Sequence, residues 1–332
     1  MNDRSTATKV LVTGGAGYIG SHVVRQLTES GRHVVVLDNL STGREDAVIG
    51  AELVVGDTAD RTLLRRLLDE HGIAAVMHFA AHVVVPESVS EPLKYYGNNT
   101  CASRNLIECA LGAGVQHFIF SSTAAVYGTP PGEAAREDTP TEPINPYGRS
   151  KLMTEWMLRD VAAASTMRHV ILRYFNVAGA DPGGRIGQST PGATHLIKVA
   201  AEAACGKRES IAIFGTDYPT PDGTGVRDYI HVDDLARAHL AALAYLEAGH
   251  GSTTLNCGYG HGYSVREVID MVERISEKRL DVREAARRAG DPAALVAVAE
   301  RIRQTLDWSP RHDDLEAIVR TAYEWEKKLA HA

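Results

Sequence analysis

Lys9-Val10-Leu11-Val12-Thr13-Gly14-Gly15-Ala16-Gly17-Tyr18-Ile19-Gly20 runs from a β-branched apolar stretch into four glycines within seven residues. The apolar run predicts a buried strand, the glycines a tight turn, and Gly17–Ser30 a helix. Two glycine registers fit, Gly15-x-Gly17-x-x-Gly20 and Gly14-x-x-Gly17-x-x-Gly20. In either, the turn lets backbone approach a pyrophosphate, and the helix presents free N–H groups and its positive dipole end to that anion. Glycines also mark plain strand-to-helix turns, so context decides. His33–Leu37 predicts a second strand. Asp38 follows it, about twenty residues beyond the loop, where a carboxylate hydrogen-bonds a ribose 2′-hydroxyl. Strand, loop, helix and acid together predict a dinucleotide site. Asp38 would repel a 2′-phosphate, which favours NAD over NADP.

Outward from this unit the same alternation continues. Glu52–Val55, Ala75–Phe79, His117–Ser121 and Arg168–Tyr174 read as further strands, with helical spacing in Asp60–His71, Pro92–Ala113 and Pro146–Ala164. Continuous apolar strands between amphipathic helices predict an α/β fold, a doubly wound parallel sheet with right-handed crossovers. After Asn176 the pattern loosens. Gly179–Gly192 and Thr216–Gly225 are rich in Gly and Pro and read as loops, the first too long for a plain connector. Helices are expected at about Val232–Glu247, Ser264–Glu277 and Asp313–Leu329, with a strand at Thr253–Asn256. This predicts a smaller α/β substrate domain, residues 177–226 and 258–332, closing over a dinucleotide domain of residues 1–176 with 227–257 interleaved.

Composition narrows the function classes. The 332 residues carry 35 Lys and Arg against 42 Asp and Glu, a net charge of −7, and 44% are hydrophobic. That excludes a disordered chain and leaves no basic footprint for nucleic acid. No apolar run approaches the ~18–20 residues that cross a bilayer. Met1–Lys9 is polar and leads straight into a strand, so no signal peptide and a cytoplasmic location are expected. The four cysteines lack metal-ligand spacing and a disulfide framework, and the fourteen histidines form no H-E-x-x-H pair. No metal is expected.

Chemistry-bearing residues fall at the ends of later strands. Ser121-Ser122-Thr123 closes the fifth strand, at the carboxyl edge where ligands bind in such sheets. Tyr147 and Lys151 lie one turn apart on the helix that opens after Asn145-Pro146, so both project from one face. A phenol near pKa 10 needs help to act as a base near neutrality. A cation about 4 Å away contributes roughly 4 kcal/mol at an effective dielectric of ~20, equivalent to about three pKa units. Lys151 and an oxidised nicotinamide together supply such a field. Asp57 either meets the adenine edge or belongs to the N-cap region before Arg61. Phe79-Ala80-Ala81 either admits the cofactor closely or packs.

Gly14–Gly20, Asp38, Ser121–Thr123 and Tyr147-x-x-x-Lys151 together resemble the extended short-chain dehydrogenase/reductase family, with its Rossmann fold. Phe118–Gly128 (FIFSSTAAVYG), Arg173–Gly179 (RYFNVAG) and Ala212–Asp234 (AIFGTDYPTPDGTGVRDYIHVDD) resemble its UDP-hexose 4-epimerases, and the likeness runs from about Lys9 to Lys327. The resemblance implies reversible inversion at C4 of UDP-galactose and UDP-glucose through a 4-keto sugar, with Tyr147 as general base, Lys151 tuning it and Thr123 on the 4-oxygen. It implies NAD contacts at Gly14, Gly17, Tyr18, Ile19, Asp38, Asn39, Asp57, Phe79, Ala80, Ala81, Asn98, Ser121, Tyr147, Lys151 and Tyr174. The UDP-sugar contacts it implies are Thr123, Tyr147, Asn176, His195, Leu196, Ala212, Phe214, Arg227, Arg288 and Asp291. A homodimer built from Pro92–Ala113 and Pro146–Ala164 is also implied; wide apolar faces on those helices suit sheet covering equally.

Two positions depart from the family pattern. Val83 stands where some members carry a lysine near the cofactor, and Leu295 where a Tyr or Cys often lines the sugar pocket. Leucine is smaller than tyrosine, which leaves room for an N-acetylated sugar. Thr123 is followed by Ala124-Ala125, not the Asp-Glu of nucleotide-sugar dehydratases, and alanines move no protons, which argues against dehydration. A UDP-glucuronate 4-epimerase and a non-catalytic nucleotide sensor are the remaining alternatives, the second opposed by the intact Tyr147 and Lys151.

Overall fold

The computed structural model describes residues 8–130, 132, 134–288 and 291–331. The N-terminal stretch read above for targeting therefore lies largely outside the described residues. Along the first half run β1 (Val10–Thr13), α1 (Tyr18–Glu29), β2 (Val34–Asp38), β3 (Glu52–Val55), α2 (Arg61–His71) and β4 (Ala75–His78). Then come α3 (Val85–Ser90), α4 (Pro92–Tyr95), α5 (Ala102–Gly112), β5 (His117–Thr123), β6 (Ala134–Ala135), α6 (Pro146–Ala164) and β7 (Arg168–Tyr174). The second half holds β8 (Asn176–Ala178), α7 (Leu196–Ala204), β9 (Ile211–Phe214), β10 (Val226–Arg227), β11 (Tyr229–His231), α8 (Val232–Glu247) and β12 (Thr253–Cys257). It ends with β13 (Tyr263–Ser264), α9 (Val265–Ser276), β14 (Val282–Ala285), β15 (Ala294–Ala297), α10 (Glu300–Thr305) and α11 (Leu315–His331).

Seven strands form one parallel sheet in the order β12-β7-β5-β4-β1-β2-β3. Alternate residues of each strand feed two cores. Val10, Val12, Val34, Val36 and Met77 face Val23, Val24 and Leu27 of α1 and Leu235 and Ala242 of α8. Leu11, Val35, Leu37, Val76 and Phe118 face Leu64 and Leu68 of α2, Leu106 of α5 and Leu158 of α6. With both faces covered, neither parity of side chain sees water, which is why these strands read as unbroken apolar runs. The doubly wound parallel sheet expected from the sequence is the observed fold. Its order reverses between β1 and β4, and that switch point opens a crevice at the carboxyl ends.

Two features differ from the sequence reading. Pro92–Gly112 is one helical run, but Tyr96–Cys101 inside it is π-helical; side-chain spacing at ordinary helical period carries no sign of that extra residue. Helix α7 and the strands β8 to β11 and β13 to β15 lie where loosened patterning showed no element. Their short strands assemble into a four-stranded sheet, β13-β10-β15-β6, and the pairs β11-β8 and β14-β9. Two to four residues are too few for a hydrophobic period to register.

Candidate active site

The glycine register is resolved by close approach. Gly14 takes φ +73°, and a Cβ there would stand 2.6 Å from the Ala80 nitrogen, across the switch point. A Cβ on Gly20 would lie 2.1 Å from the Gly14 carbonyl oxygen, and the Gly17 amide donates to that same oxygen at 3.2 Å. Gly14, Gly17 and Gly20 thus gather on one carbonyl, which is the Gly14-x-x-Gly17-x-x-Gly20 register. Gly17 is the N-cap of α1 and brings no side-chain cap. The first amides of α1, those of Tyr18 and Ile19 among them, therefore face the crevice free to bind an anion.

Asp38, buried at the tip of β2, accepts from the Ala16 amide at 2.9 Å and from the Leu40 amide at 2.8 Å. The second contact holds Leu40 at φ 57°, a left-handed conformation unusual for leucine and of the kind that clusters at binding sites. Both carboxylate oxygens keep a lone pair for a ribose. Asp57 is decided against the capping alternative: Asp60 caps α2, accepting from the Thr62 and Leu63 amides at 2.9 and 3.0 Å. Asp57 instead accepts from the Ala59 amide at 2.8 Å and from Asn39 Nδ2 at 2.9 Å, beside Asp38. These residues fit an NAD: a cradle that glycine Cβ atoms would fill, an uncapped helix end, and a buried carboxylate at the tip of the neighbouring strand.

On the far side of the switch point, Phe79 and Ala80 donate their amides to the Thr13 carbonyl at 2.9 and 3.1 Å. Ala81 leads into His82, whose amide and carbonyl both bond the side chain of Asn99, at 2.8 and 2.9 Å. Asn98 donates to Asn99 at 3.0 Å, so the π-helical turn holds the strand-four loop against α6.

The chemistry-bearing residues meet at the end of β5. Tyr147 and Lys151 are both buried on one face of α6. Asn145 caps that helix through the Gly148 amide at 2.8 Å, and Pro146 starts it. Lys151 Nζ donates to the Ser121 carbonyl at 2.9 Å and sits 5.0 Å from the centre of the Phe120 ring. Burial lowers the Lys151 ammonium to about 7. Burial raises the Tyr147 phenol, and the Thr123 hydroxyl beside it pulls the other way. Burial thus acts on both members of the pair, raising the phenol and lowering the ammonium. Tyr174 completes the group, its hydroxyl 2.5 Å from Ser121 Oγ.

The expected sugar-nucleotide residues fall in two clusters. Asn176, at the start of β8, lines one cleft with His195 and Leu196 at the N-terminus of α7. Gln188 Nε2 donates to His195 Nδ1 at 2.9 Å, and burial lowers the imidazole. In the second cluster the Arg288 guanidinium stacks 3.8 Å from the centre of the Phe214 ring, and the Asp291 amide donates to the Arg288 carbonyl at 3.3 Å. Ala212 and Phe214 lie two apart on β9 against β14. Arg227, on β10, donates to the carbonyl of its neighbour Val226 at 2.8 Å. Among the described residues no group of three or more His, Cys, Asp or Glu is arranged to hold a metal.

The NAD dependent epimerase/dehydratase family model matches residues 10–258. The chain belongs to that family. A UDP-glucose 4-epimerase of Azospirillum brasilense is 58% identical over 331 residues, covering 99% of this chain and 95% of the relative. The crystal structure of UDP-glucose 4-epimerase from Brucella ovis in complex with NAD superposes with a TM-score of 0.94 at 44% identity, over 97% of this chain and 99% of that one. The UDP-Glc/GlcNAc 4-epimerase of Campylobacter jejuni matches with a TM-score of 0.86 at 50% identity, over 97% of this chain and the whole of that one.

Within this epimerase/dehydratase frame, sequence reasoning missed Asn99, which ties the strand-four loop to α6. It named Tyr18 for the cofactor but not the bond by which the Tyr18 hydroxyl donates to the Gly179 carbonyl at 2.6 Å, across 161 residues of chain. Such pairs leave no local signal; only an asparagine or tyrosine beside a recognised motif marks them as candidates.

Proposed function

We propose that this chain catalyses NAD-dependent C4 epimerisation of UDP-sugars, interconverting UDP-galactose and UDP-glucose. It is an isomerase. The observation that carries the reading is the convergence of Tyr147, Lys151 and Thr123 at the carboxyl end of β5, beside the glycine cradle. When bound, NAD supplies the acceptor for the hydride of sugar C4 and the donor that returns it to the opposite face.

The protein's part is proton movement and position. Tyr147 Oη takes the proton of the C4 hydroxyl and later gives it back. Thr123 Oγ1 accepts from the Ala125 amide at 3.1 Å, which leaves its own proton to steady the 4-oxygen. Bringing a phenol from about 10 to about 7 takes roughly 4 kcal/mol. A charged Lys151 in this dry site is a source of that field, and the Ser121 carbonyl keeps the ammonium oriented. Arg288 and Asp291 clasp the diphosphate and ribose, His195 and Leu196 with Ala212 and Phe214 form the uridine wall, and Asn176 and Arg227 bind the sugar nucleotide.

We further read residues 1–176 with 227–257 as the dinucleotide unit, and 177–226 with 258–332 as the sugar-nucleotide unit. Support comes from β12, which extends the large sheet, and from β9 and β14, which pair apart from it. A homodimer through the Pro92–Gly112 and Pro146–Ala164 helices is supported by Leu93, 81% exposed, and Trp156, 51% exposed. Four free cysteines, two of them buried, suit the reducing cytoplasm. Leu295 pairs in register with Arg227, which favours acceptance of UDP-N-acetylglucosamine as a second substrate.

Purified protein incubated with UDP-galactose and no added NAD is expected to yield UDP-glucose. Tyr147→Phe is expected to lower kcat by about 10²–10⁴; full turnover by that variant would sink the mechanism. No formation of UDP-N-acetylgalactosamine from UDP-N-acetylglucosamine would remove the second substrate.

A further inference from the structure

Tyr147 and Lys151 share their helix face with a third residue. Glu155 stands one further turn along α6, fully buried, facing the same strand end. Three consecutive residues of β5 meet the three helix residues: Thr123 lies beside Tyr147, the Ser121 carbonyl accepts from Lys151, and Ser122 Oγ donates to Glu155 Oε1 at 2.6 Å.

The rest of the Glu155 carboxylate is also committed. Arg173 Nε donates to Oε1 at 2.9 Å and Arg173 Nη2 to Oε2 at 2.6 Å, while Arg159 Nη2 reaches Oε2 at 2.7 Å. Arg173 is itself buried on β7 and passes the grip onward. Its Nη1 donates to the Tyr127 hydroxyl at 3.1 Å, and that hydroxyl donates to Asn256 Oδ1 at 2.5 Å. Tyr127 closes the short turn that begins directly after Thr123. The network therefore holds both the helix that carries Tyr147 and the segment that carries Thr123.

A buried ion pair is a poor means of gaining stability, because desolvation offsets much of its attraction; its best-attested use is to specify register. A hydrophobic contact between α6 and β5 would tolerate sliding, whereas a four-bond carboxylate does not. We propose that Glu155, acting through Ser122 and Arg173, is a positioning residue that fixes α6 against β5 and so sets the contact between Tyr147 and Thr123. The proposal rests on the reading of those two residues as the proton-handling pair.

The test uses the purified holoenzyme with Ser122→Ala, which removes one bond to Glu155 and leaves the ion pair with Arg173 in place. Loosened register lengthens the Tyr147–Thr123 contact that favours the phenolate. Ser122→Ala is expected to lower kcat about tenfold, with the KM for UDP-galactose changed by less than about twofold. The acid limb of its kcat–pH profile is expected to move to higher pH. Glu155→Gln is expected to move both readouts further in the same direction. If it does not fold, Ser122→Ala alone decides. Wild-type kcat and an unmoved acid limb in Ser122→Ala, with or without a lower melting temperature, would overturn the proposal and leave the network structural. Failure of the underlying reading looks different: Tyr147→Phe would then retain turnover whatever Ser122→Ala does.

Discussion

The two halves of the molecule are built on different economies of contact. In the first, β1 to β5 and β7 are held by apolar side chains on both faces, and their helices end in local devices such as the Asp60 cap of α2. In the second, strands of two to five residues are pinned by buried carboxylates that accept backbone amides. Asp228 accepts from Tyr259, Gly260 and Ala297 amides at 3.0, 3.0 and 3.2 Å. Asp234, fully buried, accepts from the Arg311 and His312 amides at 2.9 and 2.8 Å and from the Tyr259 hydroxyl at 2.7 Å. Apolar layers position a sheet edge to which a cofactor is presented. Carboxylate anchors let irregular chain hold a fixed shape.

The contrast is open to direct attack. The largest effect is expected from Gly20→Val, which places a side chain where even a Cβ meets the Gly14 carbonyl at 2.1 Å. The phosphate loop then cannot close, and the purified variant is expected to carry no NAD, read from absorbance of the released nucleotide. Asp234→Ala in the other half strands several buried donors, at a cost of about 3–5 kcal/mol. Its melting temperature should fall well below wild type; a fall as small as that of a surface substitution would show that the second half does not depend on its carboxylate anchors.

Acid sharpens the comparison differently. Burial lowers His22 to about 4, His78 to about 3, His169 to about 4, His231 to about 3 and His239 to about 4. In the unfolded chain each takes its proton near 6.5. The unfolded state therefore binds more protons below that pH, and stability present above 6.5 is lost as pH falls toward 4. Urea midpoints measured between pH 7 and 4.5 should drop steeply, and His78→Gln should flatten the slope by one proton. The smallest effect is expected from Asp60→Ala, where loss of the α2 cap costs about 1 kcal/mol and leaves kcat untouched.

Legibility followed the same divide. The glycine loop, Asp38 and the Tyr147–Lys151 pair stood out because each needs a residue type at a spacing set by one turn or one strand. The Asp57 alternatives could not be separated from sequence, since Asp57 and Asp60 are equally good caps and only the bonds of Asp60 to Thr62 and Leu63 choose between them. The π-helical turn at Tyr96–Cys101 and the short strands β8 to β11 left no periodic trace. The effect of burial on Tyr147 was likewise hidden: spacing puts Lys151 on its face but does not show the burial that raises the phenol.

By itself the sequence determined the parallel sheet, its glycine turn and the helix face shared by Tyr147 and Lys151, because these rest on periods of two or 3.6 residues and on the conformational freedom of glycine. Tertiary structure alone decided how Glu155 meets Ser122 and Arg173, and how Tyr18 reaches Gly179. Those contacts join residues from 18 to 161 positions apart, and no local rule of spacing extends over such a distance.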